Sequence, residues 1–145
     1  MVKPSVSISI VTYNSLEHLP ELFASLAAQT YTNFEVLVVD NDSHDGTVTW
    51  LQQQTIHPIA QLICNTTNNW FAKGNNQAID RAQGEYVLFC NDDVVLESTC
   101  VEQLMWRMEQ RSRNGMVGGK LLKLTDRRQA TQRFDSAGLV QTMTG

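Results

Sequence analysis

The sequence predicts an α/β fold with a mainly parallel sheet, and three observations carry that reading. Tyr86-Val87-Leu88-Phe89-Cys90 is an apolar run, rich in β-branched and aromatic residues, of the length of a buried parallel strand. Similar runs recur along the chain and alternate with segments whose apolar residues follow helical spacing, the pattern of right-handed βαβ crossovers. Three of the runs end in polar or acidic residues: Thr12-Tyr13-Asn14, Asp40-Asn41-Asp42 and Asn91-Asp92-Asp93. Parallel strands bring such ends to one edge, where open α/β sheets bind ligands.

Taken in order, Val6-Ser7-Ile8-Ser9-Ile10-Val11-Thr12 reads as the first strand. Leu19, Leu22, Phe23, Leu26 and Ala27 then make one apolar helical stripe, and Pro20 places that helix's start between Leu16 and Leu19. Phe34-Glu35-Val36-Leu37-Val38-Val39 is a second buried strand, and Asp45-Gly46-Thr47 opens a second helix with Val48 and Leu51 inward. A third strand is expected over residues 59–64, a polar loop over 65–69 and a helix over 74–83 that carries Ala78, Ile79 and Ala82. After the 86–91 strand, Thr99-Cys100-Val101-Glu102 is a capping box for a helix with Val101, Leu104, Met105 and Met108 on its inner face. Residues 116–122 read as one more strand, and the remainder from Thr125 as polar, arginine-rich and irregular.

The length of 145 residues and the 42% hydrophobic content suit one domain, 1–145, with a real core, and exclude a disordered chain. Residues 1–100 hold three Lys/Arg against eleven Asp/Glu, whereas residues 101–145 hold eight against four. The acidic part does not suit nucleic acid but suits metal ions. The basic part suits phosphates, an anionic membrane surface or a solvated face. Cys64, Cys90 and Cys100 show no metal-ligand spacing, and the odd count fits reduced core thiols. Met1-Val2-Lys3-Pro4-Ser5 leads into a strand, and no run reaches the roughly 20 apolar residues of a membrane span. The chain is expected to be soluble and cytoplasmic, at most peripherally associated with the inner face of a membrane.

Neither glycine-rich phosphate loop occurs after the first strand, so dinucleotide-binding and P-loop readings fall away. Adjacent carboxylates such as Asp92 and Asp93 repel, so a dication or a sugar hydroxyl is a natural partner, although a carboxylate pair after a strand is also an ordinary turn. Lys73 is one of three basic residues in the first hundred, placed beside Gly74 at the expected opening of a helix, where anions are favoured. His18, His44 and His57 read as surface or loop residues. Trp50 and Trp106 read as packing residues, and Trp70 sits in a loop near the proposed site. No Ser/His/Asp or Cys/His arrangement supports nucleophilic catalysis.

Four motifs in this order, Ser9-Ile10-Val11-Thr12-Tyr13-Asn14, Val38-Val39-Asp40-Asn41-Asp42-Ser43-His44-Asp45-Gly46, Trp70-Phe71-Ala72-Lys73-Gly74-Asn75-Asn76 and Asn91-Asp92-Asp93, resemble the family-2 glycosyltransferases of the GT-A fold, closest to bacterial rhamnosyltransferase-like enzymes. The resemblance implies a three-layer, Rossmann-like nucleotide-diphosphate-sugar transferase. Its activity would be inverting, metal-dependent transfer from a UDP- or dTDP-linked sugar to a saccharide or lipid-linked acceptor in surface polysaccharide synthesis. It implies Thr12 and Tyr13 against the base with Asp40 on the base edge, and Asp42 and Lys73 near the nucleotide. Asn14 and Asn91 join this donor edge. Asn91-Asp92-Asp93 matches the D-x-D type motif, with Asp92 near ribose and metal and Asp93 as the direct ligand of Mg2+ or Mn2+. The chain departs from the family in carrying Trp70 where glycine is usual. It also ends at Gly145, before the acceptor-binding half and its general base, so the isolated, truncated chain is expected to be inactive in transfer.

A competing reading is a non-catalytic nucleotide-binding or regulatory module of the same fold, separated from an enzyme by whether the reading frame continues past Gly145 to an acidic residue. A phosphoacceptor receiver domain would need a late-strand lysine facing the acidic cluster. Lys120 is the single candidate for that role, and the long loop from Asn65 to Lys73 suits such a domain poorly.

Overall fold

A computed structural model describes residues 3–55, 59–110, 114–124 and 130–136, with the backbone alone for residue 124 and residues 130–136. The chain divides into two compact units, Met1–Thr99 and Cys100–Gly145. In the first, β1 (Val6–Thr12), β2 (Phe34–Asp40), β3 (Gln61–Cys64) and β4 (Tyr86–Asn91) form a wholly parallel sheet in the order β3-β2-β1-β4. The strands alternate with α1 (Leu19–Ala27), α2 (Thr47–Gln53) and α3 (Trp70–Ile79). Steps from β1 to β2 to β3 run one way across the sheet, so right-handed crossovers put α1 and α2 on one face. The step from β3 to β4 reverses and passes beyond β1, which puts α3 on the other. The result is three layers, with the topological switch between β1 and β4.

Strand alternation sorts the core accordingly. Val11, Leu37 and Val39 pack with Ala78, Ile63 and Ala82 on the α3 side. Ile8, Ile10, Val36 and Val38 have the opposite parity and are fully buried. Leu19, Leu22, Phe23 and Leu26 form the buried stripe of α1. Phe23 meets Trp50 of α2 edge to face, ring centroids 5.3 Å apart. Pro20 sits in the first turn of α1, where a missing N–H costs nothing. On the α3 side, buried Ser9 donates to Asn75 at 2.7 Å, a satisfied polar pair that fixes the helix along β1.

The second unit holds α4 (Cys100–Glu109) and an antiparallel pair, β5 (Leu121–Leu124) with β6 (Ala130–Ser136). The helix opens directly after Thr99, as the capping box predicts, and buries Val101 and Met105. Trp106 is half exposed, with the Arg107 guanidinium 4.7 Å from its ring centroid.

Several expectations are corrected. α3 begins at Trp70 rather than near residue 74, because apolar periodicity starts later than the turn that opens the helix; Lys73 is therefore its fourth residue and not at its opening. β4 is a half-buried edge strand with Phe89 52% exposed, since it lies at the end of the sheet order. The strand expected over 116–122 starts at Leu121 and pairs antiparallel outside the main sheet, and β6 lies in the stretch expected to be irregular. β3 is shorter than expected. Cys64 ends that edge strand and is exposed rather than a core thiol, while Cys90 is buried. His57 lies outside the described residues.

The return from α3 to β4 is closed tightly at the far edge of the sheet. Ser7 Oγ donates to Glu35 Oε1 at 2.6 Å, and the Gln83 and Gly84 N–H groups donate to Glu35 Oε1 and Ser7 Oγ at 2.7 and 2.8 Å. A Cβ on Gly84 would stand 2.6 Å from Ser7 N and 2.7 Å from Val6 C, both backbone atoms. Gly84→Ala is therefore expected to cost about 1–3 kcal/mol. Gly118→Ala, with nothing within 4 Å, should cost close to nothing. Urea denaturation midpoints of the two variants against the parent chain provide the check.

Candidate functional site

In-register pairing levels the strand ends: Thr12 of β1 stands opposite Asp40 of β2, and Asn91 of β4 opposite Val11. The segments that leave these ends surround a cleft of about 280 Å3 lined by Val11, Thr12, Tyr13, Ser15, Asn41, Asn68, Trp70, Phe71 and Asp92. The cleft thus lies at the switch point between β1 and β4, where open sheets place ligands.

Of the predicted residues, Thr12, Tyr13 and Asp92 line this cleft together. Thr12 and Asp40 are each 1% exposed, and Thr12 Oγ1 and Asp40 Oδ1 are buried without a hydrogen-bond partner. Asp40 Oδ2, in contrast, accepts from Ser43 N at 2.9 Å. Two orphaned polar atoms, on residues that pair in register at the strand ends, are costly unless something else satisfies them. Tyr13 is 48% exposed. Asp92 is half buried and accepts from Ser15 Oγ, a bond that ties the turn after β1 to the turn after β4.

Asn14, Asp40, Asp42, Lys73, Asn91 and Asp93 stand outside the lining. Asn14 latches two turns together, donating its N–H to Ser43 Oγ and accepting from His44 N on Oδ1, both at 2.8 Å. Asp42 faces His44 at 3.6 Å, an exposed pair worth little. Lys73 Nζ donates to Asn69 Oδ1 at 2.8 Å. Asn91 and Asp93 are exposed at the end of β4. Among the described residues no three His, Cys, Asp or Glu side chains cluster as a ready-made metal cage.

Sequence reasoning missed Ser15 and Asn41. Asn41 is buried; its Nδ2 donates to the Trp70 carbonyl at 3.3 Å, and its Oδ1 accepts from Asn65 Nδ2 at 2.9 Å and Asn69 N at 3.4 Å. Gln77 of α3 exchanges hydrogen bonds with Asn65 in turn, so an amide network fixes the loop before α3 to the end of β2. The available signal was Asn41 itself, a polar residue between two aspartates directly after a buried strand. Asn14, Asp42 and Trp70 all have positive φ, 53°, 70° and 61°, so each turn at this edge is locally strained.

Comparison with known proteins is consistent with this architecture. The family model for glycosyl transferase family 2 matches residues 7–136. A Bacillus subtilis protein assigned as the teichuronic acid biosynthesis glycosyltransferase TuaG is 31% identical over 122 residues, covering 83% of this chain and 48% of that protein. The structure of Staphylococcus aureus TarS 1–349 in complex with UDP superposes with a TM-score of 0.69 at 26% identity, covering 88% of this chain and 38% of that one. A mannosyltransferase of Pyrobaculum calidifontis, solved with GDP-Man and Mn2+, shares the fold at 24% identity with a TM-score of 0.62, over 88% of this chain and 37% of its own. The chain spans about half, or less, of the length of the curated relatives it matches. No helix among the described residues is long and apolar enough to cross a membrane.

The turn that carries Ser15 is held by Asp45. Its Oδ1 accepts from Thr47 N and its Oδ2 from Leu16 N, each at 3.0 Å, while Ser15 N donates to Thr47 Oγ1 at 3.2 Å. Desolvation raises the pKa of Asp45, but hydrogen bonds from the Thr47 side chain and from the backbone of Leu16, Thr47 and Asp45 outweigh it, leaving the group below its ordinary 3.8. A carboxylate favoured in the folded state stabilises above its unfolded value, and that contribution is lost as pH falls through the lower folded value. Melting temperatures over about pH 2–5 should therefore fall less steeply for Asp45→Asn than for the parent chain. Parallel curves would mean that Asp45 is not held as described.

Proposed function

This chain belongs to glycosyl transferase family 2, and we propose that the cleft at its β1/β4 edge binds the nucleotide of a UDP- or dTDP-linked sugar. The reading is carried by the orphaned pair, Thr12 Oγ1 and Asp40 Oδ1. A uracil or thymine edge presents an N–H donor flanked by carbonyl acceptors. Asp40 would accept from the N–H, Thr12 would donate to a carbonyl, and Tyr13 would lie against the ring. Asp40 then keeps one oxygen on Ser43 N and spends the other on the base, which satisfies both. TarS, solved with UDP and with UDP-GlcNAc, supports a uridine donor by similarity.

In this reading Asp92 lies by the ribose, and Asp93 with Asp92 holds Mg2+ or Mn2+. Two carboxylates without a third protein ligand suit a cation that completes its shell with diphosphate oxygens and water. A metal bound there supplies Lewis-acid stabilisation of the charge on the leaving diphosphate. Ser15 orients Asp92, Asn14 and Asp42 shape the rim, and Lys73 and Asn91 flank the phosphate side. The whole protein would pass the sugar to a saccharide or lipid-linked acceptor in the synthesis of a surface polysaccharide, as the teichuronic acid assignment of TuaG suggests. The acceptor and the general base belong to that larger reaction; the residues described here bind and orient the donor.

Isothermal calorimetry of the chain with UDP and dTDP, each with Mn2+ and with EDTA, should show binding that depends on the metal. No binding of either nucleotide would sink the donor reading, and equal binding in EDTA would remove the metal from it. Asp93→Ala should lose the metal-dependent part of the affinity while its melting temperature holds or rises slightly, because removing one carboxylate relieves like-charge repulsion.

A further inference from the structure

Trp70 presents an energetic puzzle. It opens α3 at φ 61°, in the left-handed region that glycine enters freely and a bulky side chain rarely does. The conformation is enforced from outside: Trp70 N donates to Asn68 Oδ1 at 2.8 Å, and the Trp70 carbonyl accepts from buried Asn41. Strain of this kind persists where the surroundings over-determine it, and packing of the side chain is the usual compensation. Here that compensation is missing. Trp70 is 77% exposed and the neighbouring Phe71 55% exposed. Both line the cleft that holds the orphaned Thr12 hydroxyl and the exposed Tyr13 ring.

A large, exposed aromatic surface on a strained backbone beside unsatisfied buried polar atoms is suited to a flat ligand with a polar edge. We propose that Trp70 is a base-stacking residue of this chain, its indole lying on the face of the nucleobase whose edge Thr12 and Asp40 engage. This rests on the donor reading above and adds to it a contact that the orphaned pair does not require. Burial of the indole by the base returns what the backbone conformation costs, and the Asn41 network holds the ring ready before binding. Asn41 is thereby a positioning residue for the stack.

Calorimetric titration of the parent chain, Trp70→Gly, Trp70→Phe and Trp70→Leu with UDP, UDP-glucose and pyrophosphate, all with Mn2+, tests this. For Trp70→Gly, the UDP dissociation constant should rise about tenfold while pyrophosphate binding is unchanged. Its melting temperature should hold or rise, because glycine relieves the strained φ. Trp70→Phe should stay within about threefold of the parent, and Trp70→Leu, apolar but without a π face, should fall with glycine. UDP affinity unchanged in Trp70→Gly overturns the stack, as does a leucine variant that binds like the phenylalanine one. A loss confined to UDP-glucose would place the indole on the sugar and also overturns it. If the parent chain binds neither UDP nor dTDP, the donor reading fails first and this inference with it; a chain that binds dTDP alone is titrated with dTDP in place of UDP, with the same outcomes expected.

Discussion

Everything at the ligand edge depends on the register of β1. It is the one strand of the main sheet paired along its length on both sides, to β2 from Val6↔Phe34 to Thr12↔Asp40 and to β4 from Val6↔Tyr86 to Val11↔Asn91. All seven of its residues are buried. A slip of one residue on either side would turn core side chains outward and separate Thr12 from Asp40, so apolar burial enforces the placement of polar groups. The ladder runs on past the strands, with Asn41 N on Thr12 O and Asn65 N on Asp40 O, both at 2.9 Å. The floor of the cleft is thus an extension of the sheet rather than a free loop.

What rises from that floor is held by short polar links instead of by packing. Ser15 with Asp92, Asn14 with Ser43 and His44, and Asn41 with Asn65, Asn69 and Trp70 each join two separate turns. Small side chains of this type carry little conformational entropy, so locking them is cheap, and their hydrogen bonds impose direction that apolar contacts lack. Positive φ at Asn14, Asp42 and Trp70 is the geometric counterpart. The backbone is folded back sharply at all three, and asparagine and aspartate tolerate this better than tryptophan does.

The architecture was legible in the sequence because it follows from period and order. Buried strands show as apolar runs, α1 as an apolar stripe of which Leu19, Leu22, Phe23 and Leu26 are buried and Ala27 is exposed, and the alternation of the two dictates parallel pairing. Convergence of Thr12, Asp40 and Asp92 on one edge follows from topology alone and needs no side-chain detail. The start of α3 was not legible, because it is set by a left-handed residue and by Asn68, Asn41 and Gln77, which lie outside any apolar repeat. The role of Asn41 was not legible for the same reason: its partners are 24 to 29 residues away in the chain. β5 and β6 were misjudged because a short antiparallel pair leaves a weaker period than a buried parallel strand, and the strand expected over 116–122 ran through Gly118-Gly119, which lie before β5.

Cys64 pairs in register with Asp40 at the end of β3, and it is exposed. An accessible thiol would ordinarily be the first atom of such a domain to meet an oxidant or an alkylating reagent. Desolvation, and then the negative charge of Asp40, raise its pKa above the ordinary 9.0. Since the thiolate is the reactive species, the neutral thiol at physiological pH is chemically quiet despite its exposure. The carboxylate at the end of β2 therefore lowers the reactivity of its neighbour's thiol, quieting a surface sulfur by charge without burying it.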